Sequence, residues 1–399
     1  MWSIYGKQYD LTDFAERHPG GKEIIERTKD LGDCTALFES YHAFSDLSGI
    51  VQSLHKYEIK PESDSQVVPY TENNFANYRE LVSRIKTYHP DRSFIKAPPA
   101  WFIWTGMSGM AYLFFLTQVF TSSYFLTKCI FAVFSATIEM SLMFNVLHDS
   151  SHYAVSLTPD TNNIISRIAN DWSLWNHFAW LYHHVYYHHS FTGGKKDPDH
   201  NLYKRIIPYG FLPEKAENCL TNFLYGVFPG QFVTQIVWYI RISFTNILFI
   251  IDYEPLHIPP CTFYNAMDIG IMLLKIYVLY SMGVFPAAIY LVTQNTLYYV
   301  NIMADHDLYE TRKNNYDGPD WAKRQICNSG NFANDNPLWT LMFGGINYQI
   351  EHHLFPNMSN QYYGDISHVV RKFCKEKQWP YSHQPTVMEA YESFMKKTK

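Results

Sequence analysis

Residues 101–152 read WFIWTGMSGMAYLFFLTQVFTSSYFLTKCIFAVFSATIEMSLMFNVLHDSSH, and the fold turns on this stretch. From Ala97 to Thr127 no side chain is charged, and Trp101 to Phe120 alone is long enough to cross a bilayer. About 20 helical residues rising about 1.5 Å each match the roughly 30 Å hydrocarbon core. A second apolar segment runs from Lys128 to Leu147, interrupted only by Glu139. The connection is short, so a helical hairpin is expected. Its second arm runs straight into His148-Asp149-Ser150-Ser151-His152. Histidines four apart share a helix face and can reach one metal ion, although a helix end carrying two unrelated polar residues has the same pattern. Glu139 invites two readings, a functional group because an unpaired membrane charge is costly, or a helix-packing residue near the water boundary.

Working outward, a second pair of spans follows at about 267–283 and 286–304; Ile269 to Gly283 and Pro286 to Ala304 are apolar apart from Lys275, with Gly283 and Pro286 marking the turn. Asn222 to Ile251 is also apolar and holds Arg241 near its middle. A single crossing there would split the histidines between the two faces of the membrane, so it is read as interfacial or re-entrant. Residues 1–60 read as a small α+β unit, 61–96 as a linker (PESDSQ) and juxtamembrane segment, and 97–399 as the membrane domain. The expected fold is therefore mainly α, with spans at about 101–120, 128–147, 267–283 and 286–304. Each hairpin returns the chain to its starting side, which brings every histidine cluster and the N-terminal unit to one face. Met1 to Asp10 shows no cleavable leader, and Lys and Arg concentrate on that face, so it is expected to be cytosolic.

Composition agrees with a chain partly hidden from water. Of 399 residues only 17% are charged and 17% are aromatic, against about 25% charge in soluble domains. A net charge of -5 argues against nucleic acid as a partner. Six cysteines without a CxxC pair favour a reducing compartment and remove the usual structural zinc patterns.

Two more histidine groups follow the first. His184-Val185-Tyr186-Tyr187-His188-His189 repeats the four-residue spacing, with His189 pointing about 100° away on a 3.6-residue helix. His177 and His183 lie alongside and are not counted as ligands. Trp172, Trp175 and Trp180 suit either a membrane interface or an ordinary core. Gln349-Ile350-Glu351-His352-His353 supplies the third group. Seven candidates exceed one four-coordinate zinc site. Imidazole also suits iron, and two metal ions would leave positions for oxygen and water. At the N-terminus, His18-Pro19-Gly20-Gly21 and His42 stand 24 positions apart. Two imidazoles reaching one metal from opposite sides would make a six-coordinate haem suited to electron transfer.

The residues around His18 and His42 (YDLTDF before, DCTALFESYH after) resemble cytochrome b5 over positions 2 to about 60. Such domains usually carry one more strand and helix ahead of the segment that begins here at Trp2, so a shortened edge is expected. The three histidine groups, in order around two apolar hairpins, resemble the membrane fatty-acid desaturases from Trp2 to about His368. Gln349 at the head of the third group, together with the N-terminal unit, resembles their front-end branch. The resemblance implies haem b on His18 and His42, and two non-haem iron ions on His148, His152, His184, His188, His189, His352 and His353. It adds His306 as an eighth ligand, with Gln349, Asn301 and Asp305 as direct or water-mediated partners. It further implies O2-dependent insertion of a double bond into a fatty-acyl chain, carried as a coenzyme A thioester or a membrane lipid. Electrons would come from NADH–cytochrome b5 reductase through the fused haem. Lys396-Lys397-Thr398-Lys399 resembles a dilysine retrieval signal of the endoplasmic reticulum. Alternatives are a sphingolipid desaturase or lipid hydroxylase using the same site, or a non-catalytic haem-bearing electron carrier.

Overall fold

A computed structural model describes residues 1–29, 31–60, 70–88, 95–175, 177–194, 196–198 and 266–396. The stretch 222–251, with Arg241, and the terminal Lys397 and Lys399 lie outside the described residues. The N-terminal unit starts from a tight turn in which Tyr5 and Gly6 both take positive φ, 53° and 75°. That is the backbone a two-residue hairpin of right-twisted strands requires. It folds β1 (Trp2–Ile4) onto β2 (Lys7–Tyr9), with Trp2 opposite Tyr9, and β3 (Glu58–Ile59) completes the sheet on the other edge of β2. Trp2, Ile4 and Tyr9 face a core that α1 (Lys22–Arg27), α2 (Thr35–Tyr41) and α3 (Leu47–Leu54) close over.

From Thr35 to Ser40, α2 is buried on every side, as a helix is when it lies between two bodies. Phe38 belongs to the N-terminal core. Leu37 instead packs on Leu181, Tyr182, Val185 and Tyr186 of the second histidine segment. Glu39, only 1% exposed, pairs with Arg79 at 2.5 Å and accepts a 2.6 Å hydrogen bond from the Tyr5 hydroxyl. Arg79 lies on α4 (Ala76–Tyr88), in the segment read as linker and juxtamembrane. The inner face of α4 (Tyr78, Leu81, Val82, Ile85) is buried in the same core as Trp321, Ile350, Leu354 and Phe373, so this helix helps build the cap around the third histidine group.

The hairpin expected from 101–147 is present. Pro98 and Pro99 start α5 (Pro99–Thr121), where a missing N–H costs nothing. After a three-residue turn, α6 (Phe125–Leu142) continues through a π-helical segment, Met143–His148, into a last turn at Asp149–Ser151. Among the described residues these two helices, Pro99–Thr121 and Phe125–Ser151, are long and apolar enough to cross a membrane. Phe102, Ile103, Met107, Met110, Leu113 and Phe114 are each more than half exposed on α5, a larger apolar patch than water-soluble surfaces carry. α7 (Pro159–Trp172) then leads towards the second histidine group. The second hairpin forms from α8 (Ala266–Met282) and α9 (Val284–His306). Gly283 alone makes its turn, at φ 85°. Pro286 instead falls within the first turn of α9, where proline is tolerated.

Glu139 is a packing residue. Its Oε2 accepts from Lys275 Nζ of α8 at 2.5 Å and from the Tyr290 hydroxyl of α9, and Tyr290 also meets the Tyr112 hydroxyl of α5 at 3.2 Å. All four helices thus share one buried polar knot. Trp172 joins it, with its ring 4.9 Å from the Lys275 ammonium. The cap is completed by α10 (Trp321–Cys327), α11 (Gln349–Leu354) and α12 (Tyr363–Lys377), with β4 (Gly330–Phe332) parallel to β5 (Ser382–Gln384). Gly344, at φ 60°, lets the loop before α11 lie directly on the π segment, since a Cβ there would come within 2.3 Å of the Phe144 carbonyl oxygen.

Candidate metal centres

The histidines of the first two groups do not sit on simple α-helix. Both His148 and the run Leu181–His188 lie on π-helical turns, the widened form that recurs at functional sites. Histidines four apart still share a face: the His148 and His152 rings are 4.8 Å apart, and His184 and His188 stack at 5.4 Å. The widened turn swings His189 closer than the α-helical period predicts, to 4.9 Å from His184.

Tertiary packing gathers these side chains into two adjoining groups. His148, His152, His184 and His352 form one, and His188, His306 and His353 the other, the ligand atoms in each lying within 4.8 Å of one another. Neighbouring residues on a helix diverge by about 100°, so His352 turns to the first group and His353 to the second. His189 joins the two, forming a third, overlapping set with His352 and His353; it stands 4.6 Å from His152 and His352 and is stacked on His353 at 4.2 Å.

Five of these rings are held from outside through Nδ1. His188 meets Asp197 Oδ1 at 2.9 Å, His306 the Asn328 carbonyl at 2.8 Å, and His353 the Gln325 Oε1 at 2.9 Å. His352 meets the Tyr363 hydroxyl and His152 the Tyr41 hydroxyl, both at 3.1 Å. A proton on Nδ1 leaves the Nε2 lone pair facing inward, the arrangement in which imidazole binds metal. Two inward pairs, His148 with His184 and His188 with His306, stand Nε2 to Nε2 at 3.1 Å. Among the described residues the buried Nε2 atoms of His152, His352 and His353, and both ring nitrogens of His189, have no hydrogen-bond partner. A buried polar atom left so costs about 1–3 kcal/mol. Burial also holds His152, His184, His189, His352 and His353 well below the ordinary histidine pKa, so they are neutral. Neutral, inward-facing imidazoles repel one another through their lone pairs and are reconciled by cations. The donor set fits two metal ions.

Residues 122–385 match the fatty acid desaturase family model, and residues 1–67 match the cytochrome b5-like haem/steroid binding domain. The chain belongs to the fatty acid desaturase family. An acyl-lipid (8-3)-desaturase of Mortierella alpina is 26% identical over 433 aligned positions, covering 98% of this chain and 92% of the relative. The probable Delta(5) fatty acid desaturase C of Dictyostelium discoideum is 26% identical over 421 positions, covering 98% and 90%. A chloroplastic acyl-lipid (7-3)-desaturase of Chlamydomonas reinhardtii is 26% identical over 432 positions, covering 99% and 79%. The resemblance to front-end desaturases with a fused cytochrome b5-like unit therefore holds.

At the N-terminus of this family member the His18 and His42 rings lie 6.1 Å apart. That gap fits one metal ion, given metal–imidazole bonds of about 2 Å on either side. Each ring is again oriented through Nδ1, His18 by the Gly21 carbonyl at 3.1 Å and His42 by the Phe38 carbonyl at 2.7 Å. Burial lowers the pKa of both, His42 to about 4, so both are neutral. The pair fits a haem with two axial imidazoles.

The other sequence candidates are distributed unevenly. Gln349 Nε2 lies 2.9 Å from His306 Nε2, at the edge of the second group. Asn301 and Asp305 are both buried on α9, and the Asn301 amide has no hydrogen-bond partner among the described residues. His177 bonds Ser166 Oγ at 3.1 Å instead, and His183 is buried outside both groups. Trp180 stacks on His184 at 4.2 Å, and Trp175 packs on Trp180, so these tryptophans belong to the core of the site. Glu351, inside the third histidine group, turns away from the imidazoles and accepts from Asn331 at 2.8 Å and the Tyr381 hydroxyl at 2.9 Å. Burial pushes its carboxyl up to about 7. The outer partners Asp197, Gln325, Tyr363 and Tyr41 escape a reading of the sequence, because no spacing ties them to the histidines they hold.

Proposed function

We propose that the chain introduces a double bond into a fatty-acyl chain in an O2-dependent reaction, with electrons from its own haem domain. The observation that carries this reading is the double cluster of inward-facing imidazoles. One iron would be held by His148, His152, His184 and His352, and the other by His188, His306 and His353, with His189 between them. Gln349 stands beside the second, and Asn301 and Asp305 are candidates for water-mediated contact. Haem b would be held by His18 and His42. The irons supply what no side chain can, oxidative removal of two hydrogens from adjacent methylenes while O2 becomes water. The protein's own part is geometric: Asp197, Gln325, Tyr363 and Tyr41 orient the imidazoles, and burial keeps them neutral.

Four membrane spans, α5, α6, α8 and α9, are the topology this reading takes. In support, Leu273, Leu274, Ile276, Tyr277 and Tyr280 of α8 are all more than half exposed. Its 17 residues give about 25 Å of helix. With both hairpins returning to one side, haem and histidine groups would face the cytosol, at the endoplasmic reticulum, where NADH–cytochrome b5 reductase would recharge the haem. The relatives' names point to an acyl-lipid or other fatty-acyl substrate. Expression in a desaturase-poor yeast fed several fatty acids, with product double bonds located by mass spectrometry, is the test. New unsaturation is expected from the natural chain and none from His352→Ala, whose haem absorption stays intact. Equal product from His352→Ala would overturn the assignment.

A further inference from the structure

We infer that Tyr41 is the electron contact between the haem site and the di-iron site, joining them through its hydrogen bond to His152. This rests on the desaturase reading and adds a residue and a route to it. Tyr41 directly precedes His42 in the chain. Its hydroxyl, at the far end of the side chain, lies 3.1 Å from His152 Nδ1. His152 in turn presents Nε2 to the first metal group. From the haem ligand to the iron ligand the path is covalent except at that one hydrogen bond. With Nε2 facing the metals, the proton sits on Nδ1 and is donated to the Tyr41 oxygen.

The contact is built rather than incidental. Asn357, four residues after His353, donates to the Tyr41 carbonyl at 3.0 Å, and the Tyr41 ring packs edge-on to Tyr153 at 6.5 Å. Leu37, one helical turn earlier on α2, is buried in the second histidine segment. Other bonds cross the same boundary, among them Tyr182 to the Arg27 carbonyl at 2.8 Å, Arg79 to Glu39 and the Tyr70 N–H to Asp33 at 2.6 Å. They end on residues that belong to neither site, and so they hold the domains together without linking the metals. The step is a single electron transfer: ferrous haem is oxidised to ferric, one ferric non-haem iron is reduced to ferrous, and no bond or proton moves. NADH, through the reductase, restores the ferrous haem.

The test uses the full-length protein loaded with haem and iron. The haem is reduced with NADH and reductase without oxygen, then mixed with O2 and an acyl substrate while its b-type absorption is followed. In the natural chain reoxidation should be fast and should depend on non-haem iron, with His352→Ala giving the slow baseline. Tyr41→Phe removes one hydroxyl and keeps the ring. Assayed with iron in saturating excess, which offsets a weaker hold on His152, it should retain its haem absorption and its iron, and reoxidise its haem more slowly by about tenfold, equivalent to about 1.4 kcal/mol on the barrier. Reoxidation at the natural rate with both sites filled would overturn the inference. So would loss of iron from Tyr41→Phe, which would reduce Tyr41 to a prop for His152. If the natural chain itself shows no iron-dependent reoxidation, the desaturase reading fails instead, so the two failures are told apart.

Discussion

Replacing Asp197 by alanine tests the metal centre without touching any proposed ligand. The Asp197 carboxylate accepts from His188 Nδ1 at 2.9 Å through one oxygen and from the Gly193 N–H at 2.7 Å through the other, and it is buried. It therefore fixes the ring orientation of His188 and, as an anion, makes that imidazole a stronger donor. Partners of this kind are worth about 10–100-fold in metal affinity, or about 1.4–2.7 kcal/mol. Removal also leaves buried N–H groups unsatisfied, at about 1–3 kcal/mol of stability each. Because His188 belongs with His306 and His353, only one of the two irons should weaken. Asp197→Asn keeps an oxygen that can accept from one of the two donors and loses the charge, so it should fall between the natural chain and the alanine variant. The assay is chelator competition on purified protein, with haem absorption as the internal measure of an intact fold. Asp197→Ala holding both irons at the natural affinity would refute the reasoning.

Further outcomes follow from the packing. Gly344→Ala places a Cβ about 2.3 Å from the Phe144 carbonyl oxygen at a positive φ, so it should cost at least about 2 kcal/mol of thermal stability and loosen iron at the first group. An alanine variant as stable as the natural chain refutes that close approach. Lys275→Met or Glu139→Met alone strands a charge that is 2% exposed, at about 3–5 kcal/mol, whereas the double replacement should recover much of that loss. Additive losses in thermal unfolding would show that the two do not act as a pair. Burial and the nearby Asp268 carboxylate push Asp171 up to about 8. The folded state then holds this proton more tightly than the unfolded chain, so the contribution is full below about pH 4 and is lost as pH rises through about 8. Asp171→Asn should flatten that fall in melting temperature, and parallel pH profiles would rule the effect out.

What could be read from the sequence was local. An uncharged run from Ala97 to Thr127, a short turn and a second run ending at His148 are properties of neighbours in the chain, and helix formation depends on bonds within five residues. For the same reason the spacing of His148 with His152 and of His184 with His188 was enough to put each pair on one face. The adjacent His352 and His353 were legible as ligand candidates, though not as turning towards different groups of histidines. Glu139 stood open between two readings because its partner Lys275 lies 136 positions away. The π-helical turns were invisible too, since α and π backbones draw on the same residues and packing selects between them. The partners that orient the imidazoles were just as hidden: Tyr41 reaches His152 across 111 residues. The sequence by itself determined which side chains could hold metal and on which segments they ride. Only the tertiary structure decided how they gather into groups, what turns their lone pairs inward, and that the residue before His42 touches one of them. Those contacts close long loops, and no pattern along the chain records which loop will close.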